Sequence, residues 1–467
     1  MKQQAAFTVA SEHGVKAEID PHWAWAAYEP DDKRPWTLRW VGHLYRRAGF
    51  GADWRQCQQA LTEGPQRTID RLLQPEGNAE AFEAEYDGYE SAAAGGDSAV
   101  PLRAWWLRRM IETPYPLQEK MTLFWHSRMG ISNARVKSGR LMASHVKRLR
   151  TFSLGNYEDL LIQMAEDPAV FLGLDAERNR KARPSEHLAR QLLDGYGVGP
   201  DKYSDDDVRD VARAFTGWTV LRNQLRFFER EHDDGEKTIL GKRGYWDAQD
   251  AVRIIARHPE TSVSIARTLY RWLVSEMHDP DAALLAPLAQ ASQAGTNVGR
   301  MVETILRSNL FFSTMAYRQR VKSPVEYAVG ILRGLEARIA TARLGEDLAR
   351  LGQDLYHPPT IRGWAGGPNW INTATMVGRE NLANALFSAK GPYGDKLDVA
   401  AVARRYGCSG REAGAKFVLD LLLQGDIQNS PRAQASSDES GDADQSLARQ
   451  MREIAQQVVS CPEFQLG

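Results

Sequence analysis

This chain lacks most of the features by which a sequence declares its chemistry. Only three of its 467 residues are cysteine: Cys57, Cys408 and Cys461. They lie far apart and form no CxxC pair, which argues against a disulfide framework and against a cysteine zinc site. No stretch approaches the ~18 uninterrupted apolar residues of a membrane span. The opening run, MKQQAAFTVASEHGVKAEID, has neither an apolar core of signal-peptide length nor a twin arginine. These absences lead us to expect a soluble, cytoplasmic protein with no membrane insertion. No sign of charge dominates either, with 59 basic and 60 acidic residues and a net charge of −1. A general nucleic-acid or membrane-surface binder would carry a basic excess. HExxH, the Walker loop and GxSxG are all missing, so zincin, P-loop ATPase and α/β-hydrolase readings have no support. The glycines of GYGVG (195–199) follow a helix and precede an acidic cap. A dinucleotide fingerprint needs a strand before it and a different spacing, and is rejected.

What the chain does have is helical period. At ~100–200 residues per domain it has room for two lobes or one large helical body. Its thirteen tryptophans are expected mainly in packing roles. The pattern predicts a mainly α fold, a large multi-helix body with one small β-hairpin insertion. Residues 1–39 read as an extended arm held by Trp23, Trp25 and Trp36, and residues 40–467 as a single large helical domain. Within it, 76–100 is acidic, has no Lys or Arg, and reads as an exposed linker. Residues 430–444 (SPRAQASSDESGDAD) read as a mobile low-complexity segment. Run 132–150 reads as one helix with a basic face.

The densest set of chemically able residues falls between Pro184 and Gly241. Glu186 and Arg190 are four apart on a helix. They suit a general acid/base with its orienting cation, or a plain ion pair on a helix face. Ser204 reads as an N-cap, with Asp207 closing a capping box. Asp234-Gly235 lies between two short apolar runs and predicts a hairpin turn. Beside it, His232 and Asp233 could ligate a divalent ion and Lys237 could hold an anion. Ordinary turn chemistry accounts for the same three residues. Outside this stretch, His126 is a candidate metal ligand or proton carrier, or a satisfied half-buried histidine. His43, Arg46 and Arg47 could receive a sulfate or phosphate, or pair with internal carboxylates. Trp364, in the Pro- and Gly-rich loop 356–370, is a candidate substrate contact.

Several runs occur together and in a fixed order: HLYRRAGFG, EKMTLFWH, the SEHLAR helix, YSDDDVRDVARAFTGW, HDDGEKTILG, YRQRVKSPVEY and PPTIRGWAGGPNWIN. In this the chain, from about Trp40 onward, resembles the bacterial family called "domain of unknown function 1800". The resemblance implies a helical fold and no established reaction. It also implies a partner, a "domain of unknown function 1501" protein resembling alkaline phosphatases and sulfatases. Ser127 and Arg128 stand where the family tends to have Asn and a second His. Ser185-Glu186-His187 stands for Asn-Glu-Asn, and Gln191 for a Glu, so the polar cluster is thinned. Two readings follow. One is an enzyme-like or ligand-binding protein whose pocket acts on an anionic or sugar-derived substrate. In it Glu186, Asp233 and His126 are catalytic, His43, Arg46, Arg47, Arg190, Lys237 and Trp364 bind substrate, and His126, His232 and Asp233 hold a divalent metal. The other is a non-catalytic partner or escort of the phosphatase-like neighbour, with which it could leave the cell.

Overall fold

Helix starts written into the sequence organise the architecture. Asp53, Ser204, Asp247, Ser323 and Asn372 each close a capping box on the helix they precede. Each satisfies two backbone donors that would otherwise be orphaned. Prolines 116, 168, 259 and 324 stand at the first helical position, where the missing N–H costs nothing. In the computed structural model, which describes residues 19–74, 79–290, 296–394, 396–408, 410–425 and 443–467, twenty-three α-helices are found among the described residues. The expected mainly α class holds.

The β content is two small antiparallel pairs. Strand β1 (Trp218–Leu221) pairs with β2 (Gln224–Phe227), and β3 (Lys237–Ile239) with β4 (Lys242–Gly244). Their turns lie at Arg222-Asn223 (φ 52° and 61°) and Leu240-Gly241 (φ 47° and 79°). Positive φ at both central residues is what a two-residue hairpin turn requires. The hairpin expected to turn at Asp234-Gly235 is therefore displaced. That dipeptide sits in the connection between the two hairpins, where Gly235 N–H donates to Asp233 Oδ1 at 2.9 Å.

Two other local expectations change. Residues Ala79–Ala93, expected in a linker, form a helix. Its Tyr86 is buried, stacks on Phe82, and accepts at its carbonyl from Trp105 Nε1. Composition suggested exposure, but two aromatics one turn apart supply an apolar stripe. The single basic helix expected over 132–150 is broken at Lys137 (φ 51°), and Ser138 caps a new helix, Gly139–Thr151. The helix over 54–73, by contrast, breaks at Gly64 (φ 80°), at the boundary the Gly-Pro pair predicts. Of the segment 430–444, residues 430–442 lie outside the described residues.

One helix sets the centre. Pro116–Arg128 is buried on nearly every side, from Pro116 to His126, including Glu119, Lys120 and His126. A helix with no polar face belongs inside a protein. It therefore carries three ionisable side chains into the interior, where each must find a partner or lose its charge.

Candidate functional site

The largest gathering of buried charge lies where three separated stretches meet at this central helix. Helix Leu38–Arg47 brings Arg46 and Arg47, Pro116–Arg128 brings Lys120, and the run 318–326 brings Arg320, Lys322 and Glu326. Glu276 completes the set. Arg320 donates to Glu276 Oε1 at 3.0 Å and to Glu326 Oε1 at 3.1 Å. Lys120 Nζ donates to the same Glu326 carboxylate and to the Arg46 carbonyl. Glu326 also accepts from Ser323 N–H at 2.8 Å. Burial alone would raise the Glu326 pKa, but Arg320 and Lys120 hold it far below the usual carboxylate range.

Two cations of this set lack a carboxylate. Arg47 is fully buried and donates through Nη2 to the carbonyls of Val274 (3.2 Å) and Ala316 (2.7 Å). Its Nε and Nη1 have no partner among the described residues. Lys322 lies with Nζ 3.6 Å from the centre of the Phe464 ring, and among the described residues no carboxylate pairs with it. Burial, with Arg46 and Arg318 nearby, pushes the Lys322 pKa well below its ordinary value. Burial likewise brings Lys120 down to about 8 against the pull of Glu326. The walls, Arg46, Phe50, Arg320, Val321, Lys322, Glu326 and Gly467, leave a cavity of about 10 Å³. That admits one water-sized group.

A second buried network is closed. Glu119 accepts from Arg109 Nε (2.5 Å), Arg150 Nε (2.6 Å) and Trp106 Nε1 (2.8 Å). Burial opposes its charge, yet Arg150 and Arg109 bring its pKa down to about 2. All its lone-pair directions are in use, which leaves nothing for a ligand.

His126 stands apart from both. It is fully buried between Trp106 and Trp364, with ring centres 5.3 and 5.5 Å away. Its Nε2 accepts from Tyr356 N–H at 3.1 Å, so the neutral ring carries its proton on Nδ1. That Nδ1 has no partner among the described residues. Burial brings the pKa down to about 3, with His145 and His357 adding to the effect. His145 in turn donates from Nδ1 to Asp167 at 2.8 Å, again fully buried. The loop 356–370 is clasped to the end of the central helix. At Gly130 and Gly363 (φ 75°) a Cβ would collide with Thr360 and Ser127 backbone. The loop is tied further by Arg362–Asp194 at 2.6 Å and Gln191 Nε2 to the Ile361 carbonyl at 3.2 Å. Farther along, Gly367 approaches the Glu276 carboxylate. One loop thus covers His126 and touches the basic cluster.

The residues of 184–241 are placed elsewhere, each in a local bond. Glu186 and Arg190 are exposed, 3.6 Å apart, and Arg190 donates to Asp205 at 2.9 Å. Asp233 takes a two-point contact from Arg213, at 2.8 and 3.0 Å. The Arg213 bonds, with Gly235 N–H, bring the Asp233 pKa down to about 2. Lys237 donates to the carbonyls of Asp233 (2.6 Å) and Gly235 (2.9 Å), so its ammonium closes a turn. His232 donates from Nδ1 to the Thr216 carbonyl at 2.8 Å. His43 is fully buried, with Nε2 3.0 Å from the Phe311 carbonyl and Trp40, Phe311 and Tyr317 around its ring. Among the described residues no three His, Cys, Asp or Glu side chains are gathered so as to hold a metal ion. Of the residues singled out in the sequence, the basic cavity collects Arg46, with Arg47 beside it.

Sequence reasoning passed over Lys120, Glu276, Arg320, Lys322 and Glu326. Two signals were present. Glu119-Lys120 is a charged pair inside a largely apolar run, and Arg318, Arg320 and Lys322 put three cations within five residues.

A family model described as "Protein of unknown function (DUF1800)" matches residues 43–466. No curated protein and no solved structure matches the chain. No helix among the described residues is long and apolar enough to cross a membrane.

Proposed function

The chain belongs to the DUF1800 family, whose function is unknown, and from that premise we propose that it is a ligand-binding protein whose basic cavity receives the charged end of a small anion. One observation carries this reading. Five cationic side chains, Arg46, Arg47, Lys120, Arg320 and Lys322, gather near two carboxylates, Glu276 and Glu326, and three of the five, Arg46, Arg320 and Lys322, line a water-sized hollow with Glu326. Buried charge without a counter-charge is costly. An anion in the hollow would supply what Lys322 lacks, and would do so in a site of low dielectric where each contact counts for more. The space fits a halide or a single oxygen of a carboxylate or oxyanion, with the rest of the ligand outside.

The finer reading, hydrolysis or transfer on an anionic substrate, draws on Lys120. Burial brings its pKa down to about 8, within reach of losing its proton near neutral pH. Glu186 and Asp233 are held in ion pairs at exposed or half-buried positions, away from any such environment.

The test is a thermal-unfolding titration with sodium acetate, phosphate and chloride at constant ionic strength. Binding to the native state alone raises the midpoint, by about 2.7 kcal/mol of stabilisation at a hundred times Kd. At least one of these anions is expected to raise it for the wild type, and Lys322→Gln is expected to abolish the rise. Midpoints that stay flat for all three anions, or rise equally in the variant, would end the proposal.

A further inference from the structure

A second surface, separate from the basic cavity, points outward. The extended backbone at 177–181 runs beside β1. Arg178 bridges Thr219, Asn179 N–H donates to the Trp218 carbonyl at 3.2 Å, and Val220 N–H donates to the Glu177 carbonyl at 2.9 Å. With β2 this makes a three-stranded ribbon. Thr219 is also in register with Arg226 and Leu221 with Gln224. Cross-strand partners share a face. One face of the ribbon therefore carries the row Arg178, Thr219, Arg226 and next to it Leu221 and Gln224. The opposite face carries Trp218, Val220 and Leu225, which pack on the core.

The outward face has the wrong composition for a surface that meets only water. Leu221 is 53% and Phe228, two residues beyond Arg226, 46% exposed. Arg178, Arg180, Arg222 and Arg226 are exposed. Among the described residues none of the four is paired with a carboxylate. Other exposed arginines pair with acids, Arg190 with Asp205, Arg257 with Glu158 and Arg243 with Glu236. β2 is also an edge. Among the described residues no strand pairs with its outer side, so it presents unpaired backbone donors and acceptors.

We infer that this ribbon is a docking site for an acidic, extended segment of a partner protein, added as a strand along the free edge of β2. The backbone edge supplies the hydrogen bonds, and alternate side chains of the incoming strand meet the two faces. Acidic side chains on the outward face would lie beside Arg226, with Arg178 and Arg222 within reach of longer ones, and apolar groups would cover Leu221 and Phe228. Protein is favoured over nucleic acid because the chain carries a net charge of −1 and the patch only a few cations. Polyanion affinity grows with the number of phosphates neutralised. Exposed Leu and Phe beside arginine are instead the composition of a protein-interface core.

The experiment uses the full chain and a fluorescent peptide of alternating Glu and Phe. A Lys-Phe peptide, an oligothymidylate and phosphatidylserine vesicles serve as the other arms. The expected result is saturable binding of the Glu-Phe peptide and none of the Lys-Phe peptide. The double variant Arg178→Glu/Arg226→Glu is expected to weaken it about tenfold or more, since like charges then face each other. All four arginine side chains are exposed, and the thermal midpoint of the variant verifies that it folds. Leu221→Ser gives an independent, charge-neutral loss of affinity. Three results overturn the inference: no binding of the Glu-Phe peptide up to about 1 mM, the weak limit of a useful interaction; binding unchanged in the double variant; or tighter binding of the oligonucleotide or vesicles through the same arginines.

Discussion

The region 184–241 and the cluster around Lys120 use the same alphabet of Arg, Lys, Asp and Glu, and they come to opposite ends. In the first, charges lie at the surface and pair with neighbours close in the chain: Glu186 with Arg190, Asp206 with Arg209, Asp210 with Arg213. In the second, charges are buried and pair across long separations, Lys120 with Glu326 and Arg320 with Glu276. Water screens the former and makes each worth little. Its exclusion makes the latter interdependent, because removing one member strands another without solvent. Density of ionisable residues along a sequence is thus a poor guide to where chemistry can concentrate. Convergence of a few charges in a dry place is the better one.

The contrast can be broken at its strongest point. Glu326→Gln strands Lys120 and leaves Arg320 with Glu276 alone, and should lower unfolding stability by about 3–5 kcal/mol in a denaturant titration. A loss under ~1 kcal/mol would mean that the cluster is wetter than its burial implies.

Acid should reveal the interior next. His43 and His126 both have pKa values pressed down by burial, His126 to about 3. The unfolded chain takes up these protons below about 6.5, whereas folded His126 stays neutral to about 3. Stability should therefore be complete above that upper value and fall with decreasing pH, by up to about 1.4 kcal/mol per pH unit for each histidine. His126→Gln should flatten the slope relative to wild type. An unchanged slope would show that the ring is protonated in the native state.

Smaller effects belong to the surface region. Asp233→Asn weakens the two-point contact with Arg213 at a partly exposed site, with a side chain 25% accessible. The expected cost is about 1 kcal/mol, reduced by salt. Glu186→Gln should change stability by less than ~0.5 kcal/mol. A large loss there would overturn the picture of 186–190 as a solvated helix face.

The comparison also shows which parts of the fold could be read in advance. The capping box at Ser204, the proline starts, and the break at Gly64 are local, and their chemistry sits within a few residues of the feature it sets. The same holds for the mainly α class. The hairpin turn was misplaced because Asp234-Gly235 is as good a turn pair as Arg222-Asn223, and only strand pairing chooses between them. Lys237, expected as an anion contact, is a similar case. Its ammonium is spent on two carbonyls a few residues back, a geometry that composition does not reveal.

By itself the amino-acid order determined many of the helices and their ends and the motif set shared with the DUF1800 family, because these depend on near neighbours or on residue identity alone. Tertiary structure decided which charges meet. Arg46 and Arg320 are separated by many residues and share a hollow, and Lys120 meets its wall at Glu326 because the helix Pro116–Arg128 runs through the interior. It decided equally that His126 is sealed between Trp106 and Trp364 while Arg178 and Arg226 face outward. Burial is a property of the packed whole, and burial sets whether an ionisable side chain keeps its charge, finds a partner, or waits for one.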